Sequence, residues 1–216
     1  MPEDVPRLLA RGPWEVSQVD VRWSEQPFVP DAPATAAADA AVAELRRRGS
    51  PTHDGMSARL AAFESTRAQL RLELEPARWS LRLSGDAARS IAALCVVRDR
   101  EGRWLAGRRA AWVATWPGRW ALGAGGAVDV GENPADTLTR ELHEEWSVRP
   151  ERLTIEALAR VPSGLVLLVG MAQLAHGQRV QMDREHDAHA WWPPDPAEWP
   201  PEADGQVRHM GTVLAG

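Results

Sequence analysis

The stretch Gly126–Val148, GAVDVGENPADTLTRELHEEWSV, decides how this chain is read. Asn133 is a good N-cap and Pro134 suits a first helical position, so a helix is expected to open there. Asp136 then lies near the positive end of the helix dipole. Ala135, Leu138, Leu142 and Trp146 follow at spacings of 3, 4 and 4, one apolar stripe for a core. Glu141, Glu144 and Glu145 stand at i, i+3 and i+4, which stacks them on an adjoining face. Three clustered carboxylates repel one another, and the arrangement becomes favourable when a hard divalent cation sits among them. Ligation by carboxylates alone suits Mg²⁺ or Mn²⁺ rather than Zn²⁺. Such a cation can neutralise a diphosphate and activate a water. For three glutamates alone, the ordinary reading is a solvated acidic face with Arg140 and Arg149 as partners. Gly125 and Gly126, just before the helix, weigh against it, because glycines let a backbone approach a ligand closely.

The same stretch resembles the Nudix box, G-x5-E-x7-R-E-U-x-E-E-x-G-U, where U is aliphatic. Gly126, Glu132, Arg140, Glu141, Leu142, Glu144, Glu145 and Val148 all fall in place, and only the late glycine departs, replaced by Ser147. Six identical Gly, Glu and Arg positions would coincide by chance with a probability no higher than about 10⁻⁴, which reverses the ordinary reading. The Ser147 departure concerns the helix end, where glycine takes a left-handed conformation more cheaply than serine.

The resemblance implies a metal site at Glu141, Glu144 and Glu145, joined by the carbonyl of Gly125, with Glu144 also counted as catalytic. It implies that Glu132 and Arg140 brace the loop against the helix, and that Gly126 is structural. Relatives often carry an acid in a loop after the box, as base or as further ligand. Here MDREHDAHAWW is the place to look, with Glu185 the first choice and Asp183 and Asp187 its competitors. Relatives also set a basic residue against a phosphate, which points to Arg108 and Arg109, Arg109 above all; a surface salt bridge is the plain alternative. Trp112, Trp116 and Trp191 are candidates to stack on a base or sugar, with Trp116 taken as the substrate contact. His186 and His189 fit no zinc spacing and are expected at the surface.

Composition narrows the rest. The chain has 216 residues, 44% hydrophobic and 25% charged, which suits one large or two small globular domains. No apolar run approaches 18 residues, and MPEDVPRLLA does not resemble a signal peptide, so no membrane association and a cytoplasmic location are expected. The net charge of −5 argues against a nucleic-acid partner. There is no lysine, which excludes Schiff-base chemistry and a P-loop. The one cysteine, Cys95, lies in the apolar run IAALCVV and reads as core. Most of the 11 tryptophans are expected in packing or interfaces.

Along the chain, Trp14 to Trp23 alternates as a strand. Thr35 to Arg48 reads as a helix capped by Thr35 and stopped by Gly49-Ser50-Pro51. Met56 to Phe63 is a strand, and Leu70 to Leu74 with Trp79 to Leu83 a hairpin. From Ser90 the pattern tightens: IAALCVVRD, Gly102 to Arg109, WALGAGG, the box helix, Leu153 to Arg160, a central Leu165 to Gln173, and His189 to Trp192. A C-terminal helix or tail follows. This order resembles the Nudix fold, an α/β/α sandwich with a mixed sheet, over residues 87–216. Residues 1–86 form a smaller N-terminal α+β domain. Their layout is similar to that of Nudix proteins that hydrolyse nucleotide sugars, where the region serves substrate recognition or dimerisation.

The function expected is a metal-dependent pyrophosphatase acting on a small-molecule nucleoside diphosphate linked to a group X, such as a nucleotide sugar or ADP-ribose. Two other readings remain. One is an isopentenyl-diphosphate-isomerase-like protein, against which stands Gly123-Ala124-Gly125 where that branch needs a cysteine. The other is a non-catalytic nucleotide sensor, against which stand the intact glutamates.

Overall fold

A computed structural model describes residues 6–50, 54–83 and 89–215. In chain order the elements are β1 (Arg7–Glu15), β2 (Val19–Trp23), α1 (Ala32–Arg47), β3 (Met56–Ser65), β4 (Leu70–Arg78), β5 (Ile91–Arg98), β6 (Trp104–Arg109), β7 (Trp120–Leu122) and β8 (Ala124–Ala127). There follow α2 (Pro134–Trp146), β9 (Pro150–Arg160), β10 (Val166–Leu174), β11 (His186–Trp192) and α3 (Gly205–Ala215).

Alternation along two central strands builds the main body. In β5, Ile91, Ala93, Cys95 and Val97 pack with Leu138, Leu142 and Trp146 of α2. Ala92 and Val96 point the other way and pack with Val207 and Met210 of α3. In β10, Leu168 and Ala172 join the first cluster and Leu167 and Val169 the second. A strand buried on both faces must be apolar throughout, which is why both run without charged interruptions. Each fully buried leucine on α2 contributes about 2 kcal/mol of burial free energy. The sheet order is β1-β9-β10-β5-β6-β11, with β7 on β6 and β8 on β5. β10 runs parallel to β5 and antiparallel to β9, so the sheet is mixed, and Leu165–Gln173 is central as expected.

A second sheet, β2-β4-β3, comes from the N-terminal region. It is bonded to the loop that leads into α2. Ala58 N donates to Val128 O at 2.9 Å, Trp23 Nε1 to Glu132 O at 3.1 Å, and Asn133 Nδ2 to Val19 O at 3.1 Å. The N-terminal region also supplies β1, which pairs with β9 at the edge of the large sheet. The division near Asp86 and the stop at Pro51 lie outside the described residues. Gly49 takes φ +74° just past α1, the left-handed turn that a helix stop asks for.

Four local expectations are corrected. Trp14 to Trp23 is not one strand: a 3-10 turn at Val16–Gln18 divides it between the two sheets, and Glu15 and Gln18 cap that turn reciprocally. Helix α1 starts at Ala32, because the Asp31 side chain accepts from Ala34 N at 2.8 Å and Pro33 suits the first turn. Trp79–Leu83 is a 3-10 helix, and β4 runs on to Arg78 and pairs with β3 instead. WALGAGG breaks at Gly123, whose φ of +57° and close approach to the Cys95 carbonyl leave no room for a side chain. Among the described residues no helix is long and apolar enough to cross a membrane.

Candidate active site

Helix α2 opens as its sequence dictates. The Asn133 side chain accepts from Ala135 N at 3.0 Å, Pro134 follows, and Ala135, Leu138, Leu142 and Trp146 are all buried. Trp146 anchors the far end by donating from Nε1 to Gly123 O at 2.9 Å. With the apolar stripe fixed, Glu141, Glu144 and Glu145 face a cavity of about 320 Å³. Gly125, Gly126, Arg109, Trp112 and Glu185 line it as well.

The three carboxylates differ. Glu144 is half-exposed, and its Oε2 lies 3.3 Å from Arg140 Nη1. Glu141 is 9% exposed and lies against Gly126, where a Cβ would overlap its carboxylate. Its Oε1 accepts from Arg140 Nη1 at 2.7 Å. Burial pushes the Glu141 carboxyl up to about 7, Arg140 opposing and Glu144 and Glu185 adding to it. Glu145 is deeper still. Its Oε1 accepts from Gly125 N at 3.3 Å and lies 3.8 Å from Arg109 Nη1. Its Oε2 is buried without a hydrogen-bond partner, and burial holds this carboxyl well above its ordinary range.

Arg140 ties the loop to the helix. It donates to Glu132 from Nε and Nη2, both at 3.0 Å, and to Ala127 O at 3.1 Å. Burial opposes ionisation of Glu132, but Arg140, Thr137 and the Asp129 amide bring its pKa below the usual value. Arg140 also contacts Glu141 and Glu144, and among the described residues no three acidic, His or Cys groups are gathered tightly enough to grip a cation as they stand. The donor set nevertheless fits a hard divalent ion. It consists of carboxylate oxygens, one of them buried and partnerless, and burial holds two of the carboxyls above their ordinary range although Arg140 and Arg109 oppose it.

The loop before β11 is tied to the same end of α2. Asp183 N donates to Glu145 O at 3.0 Å, and Ala110 N donates to Glu185 O at 2.7 Å. Of the three candidate acids only Glu185 lines the cavity, its Oε2 3.1 Å from Arg109 Nη2. Asp183 instead lies 3.3 Å from His186 Nδ1, and Asp187 pairs with Arg108 at 2.6 Å on the surface. Arg109 reaches the cavity, with its guanidinium already taken up by Glu185 and close to Glu145. Trp116 does not line this cavity. It lies with Pro6, Trp120 and Val207 around a separate apolar one, and Trp191 packs at the edge of the core.

His186 is a correction: it is buried, not at the surface. Its ring stacks on Trp146 at 4.7 Å, and Nε2 lies 3.8 Å from Glu145 Oε2. Gly107 makes room for it, since a Cβ there would strike both rings. Burial and Arg109 hold its pKa below the ordinary value, with Asp183 opposing, so the ring is neutral at pH 7. His189 is exposed. Cys95 is buried, and burial beside the Glu145 charge pushes its thiol up to about 12.

A family model described as the NUDIX domain matches residues 88–210. The chain belongs to the Nudix hydrolase family. Solved structures similar to it include the MutT protein of Methanosarcina mazei Go1, 18% identical, covering 58% of this chain and 89% of that one with a TM-score of 0.45. The NUDIX domain of NrtR from Shewanella oneidensis, complexed with ADP ribose, is 20% identical over 58% and 84% of the two chains, TM-score 0.45. A C. elegans Ap4A hydrolase, solved as a binary complex, is 22% identical over 57% and 92%, TM-score 0.44. No curated protein matches the chain.

The Nudix domain does not supply the whole cavity. Trp79 and Arg82, from the 3-10 helix after β4, also line it, as does Ser50. No local motif marks these residues. The one sequence signal is the three-residue spacing of Trp79 and Arg82, which puts them on one face if the segment is helical and not if it is a strand.

Proposed function

We propose that this Nudix hydrolase cleaves a nucleoside diphosphate linked to a second group X, a nucleotide sugar or ADP-ribose, by attack of water on the diphosphate. The observation that carries the reading is the pair of buried carboxylates Glu141 and Glu145, with Glu145 Oε2 lacking any hydrogen-bond partner, on one wall of an open cavity. Glu141, Glu144 and Glu145, with the carbonyl of Gly125, would hold Mg²⁺ or Mn²⁺. When bound, the cation supplies charge stabilisation to the diphosphate. Arg140 and Glu132 keep the loop and helix in register, so the carboxylates are presented before substrate arrives. His186 and Trp146 exclude water from behind Glu145.

Glu185 is the proposed base. It takes the proton of the attacking water as the water oxygen bonds to phosphorus and the bridging P–O bond breaks. The products are a nucleoside monophosphate and phosphorylated X. Arg109 Nη2 lies 3.1 Å from Glu185 Oε2 and holds the carboxylate at the cavity edge. Residues 1–86 are proposed as the part that governs substrate choice, and residues 87–216 as the catalytic domain. The Cys95 thiol, buried and held near 12, suits the core and not proton transfer.

The test is formation of nucleoside monophosphate from a panel of ADP-ribose, nucleotide sugars, dinucleoside polyphosphates and oxidised nucleotides with Mg²⁺ or Mn²⁺. Turnover on a diphosphate-linked member is expected. No turnover on any member, with nucleotide still bound, would favour a sensor.

A further inference from the structure

Among the described residues, Arg82 is the cavity-wall arginine that no carboxylate engages at ion-pair distance. Arg109 is engaged by Glu185 and lies near Glu145. Among the described residues no carboxylate pairs with Arg82, and its Nε is buried without a hydrogen-bond partner. Its guanidinium rests over the Trp79 ring at 5.6 Å. It lines the cavity, and burial, followed by the nearby Arg109 and opposed by Glu141, brings its pKa down to about 10, so it stays charged at pH 7.

The mounting is firm. Arg78, just before the 3-10 helix, is bonded to Asp54 at 2.6 Å and to Asp39 at 2.7 Å. Asp54 also accepts from Ser80 N at 3.1 Å, and Trp79 N donates to Gly55 O at 2.8 Å. Leu81 packs with Ala38 of α1 and Ala77. A partly buried cation with no carboxylate in ion-pair reach among the described residues is costly, and holding it rigidly adds to the cost unless an anion arrives to meet it. A guanidinium is suited to phosphate because its planar fork matches two oxygens at once.

Building on the reading above, we propose that Arg82 is a substrate ligand supplied by the N-terminal region, taking non-bridging oxygens of the diphosphate from the wall that faces Glu141, Glu144 and Glu145. Cations would meet the diphosphate from the carboxylate side and Arg82 from the other. Trp79 keeps the guanidinium plane in position. Arg109 is then a positioning residue for Glu145 and Glu185.

The experiment is calorimetric binding of ADP, with Mg²⁺, to the full chain and to Arg82→Met and Arg82→Lys. Mn²⁺ affinity without nucleotide is measured alongside by electron paramagnetic resonance. Loss of one charge-assisted contact should weaken ADP binding about 10- to 100-fold in Arg82→Met, with part of the loss recovered in Arg82→Lys. Mn²⁺ should bind as tightly or more tightly, since removing a positive charge cannot weaken a cation site electrostatically. ADP affinity within about twofold of wild type would overturn the proposal. So would Mn²⁺ and ADP affinities falling together, which signals a structural role. If circular dichroism shows Arg82→Met unfolded, Arg82→Gln replaces it with the same expectation. A wild-type protein that neither hydrolyses a diphosphate nor binds ADP refutes the parent reading, whereas normal turnover with an indifferent Arg82 refutes this one alone.

Discussion

The two walls of the cavity are built in opposite ways. The wall from α2 and β8 is acidic, local in sequence and braced within itself by Arg140, Glu132 and Gly126. The wall from the N-terminal region is cationic and aromatic, and the sheet it belongs to is bonded to the loop that leads into α2. The contrast suggests a division of labour. The acidic wall should set the rate of the chemical step, and the cationic wall should set how tightly a diphosphate is held.

Changes at the acidic wall should show the largest effects. Glu145→Gln keeps the shape but removes a charge from the proposed cation site, and a fall in kcat of roughly 10³-fold or more is expected in steady-state assays, with the fold retained. A fall confined to KM would break the comparison. Glu185→Gln should lower kcat by about 10²–10⁴-fold with KM little changed. Arg82→Met, on the other wall, should act on KM more than on kcat.

A stability measurement sharpens the same contrast. In metal-free protein Glu141 has its carboxyl raised to about 7, above its ordinary 4.5. Its contribution is therefore fully present below pH 4.5 and is lost as the pH rises through 7. His186 is depressed and has the opposite sign, favouring the fold as pH rises through its ordinary value. The difference between wild type and Glu141→Gln cancels the His186 contribution. Chemical denaturation should show Glu141→Gln gaining on wild type between those pH values, by roughly 3 kcal/mol at the upper end. Saturating Mg²⁺ or Mn²⁺ should reverse the order. A pH-independent difference would remove the buried-carboxylate account.

The smallest expected effect lies at the end of α2. Ser147 has φ +55°, the left-handed conformation that the box assigns to glycine. Ser147→Gly should stabilise the protein by about 1 kcal/mol, read as a higher Tm, with kcat and KM unchanged.

How far each wall could be read in advance follows from its construction. The acidic wall was legible because a cap, an apolar stripe and i, i+3, i+4 carboxylates all depend on one helix period. Strands β5 and β10 were legible because burial on both faces leaves a continuous apolar run. Trp79 to Leu83 was misread because alternation and a three-residue period look alike over five positions. As a strand it would turn Trp79 and Arg82 to opposite faces; as a 3-10 helix it puts them on the same one. Trp14 to Trp23 failed for a related reason, since alternation survives on both sides of the turn that divides it. His186 was missed because its burial depends on Trp146 and Gly107, distant in sequence. Trp116 was a choice among similar tryptophans, and the loop before β7 turns it to the separate apolar cavity.

The most direct test is turnover of ADP-ribose and a nucleotide sugar by wild type and Glu145→Gln, titrated with Mn²⁺ after complete removal of divalent ions by chelator. The account predicts no wild-type turnover without metal, saturable recovery with it, and no comparable recovery in Glu145→Gln. Full wild-type turnover in excess chelator, or near-normal recovery in Glu145→Gln, would contradict it.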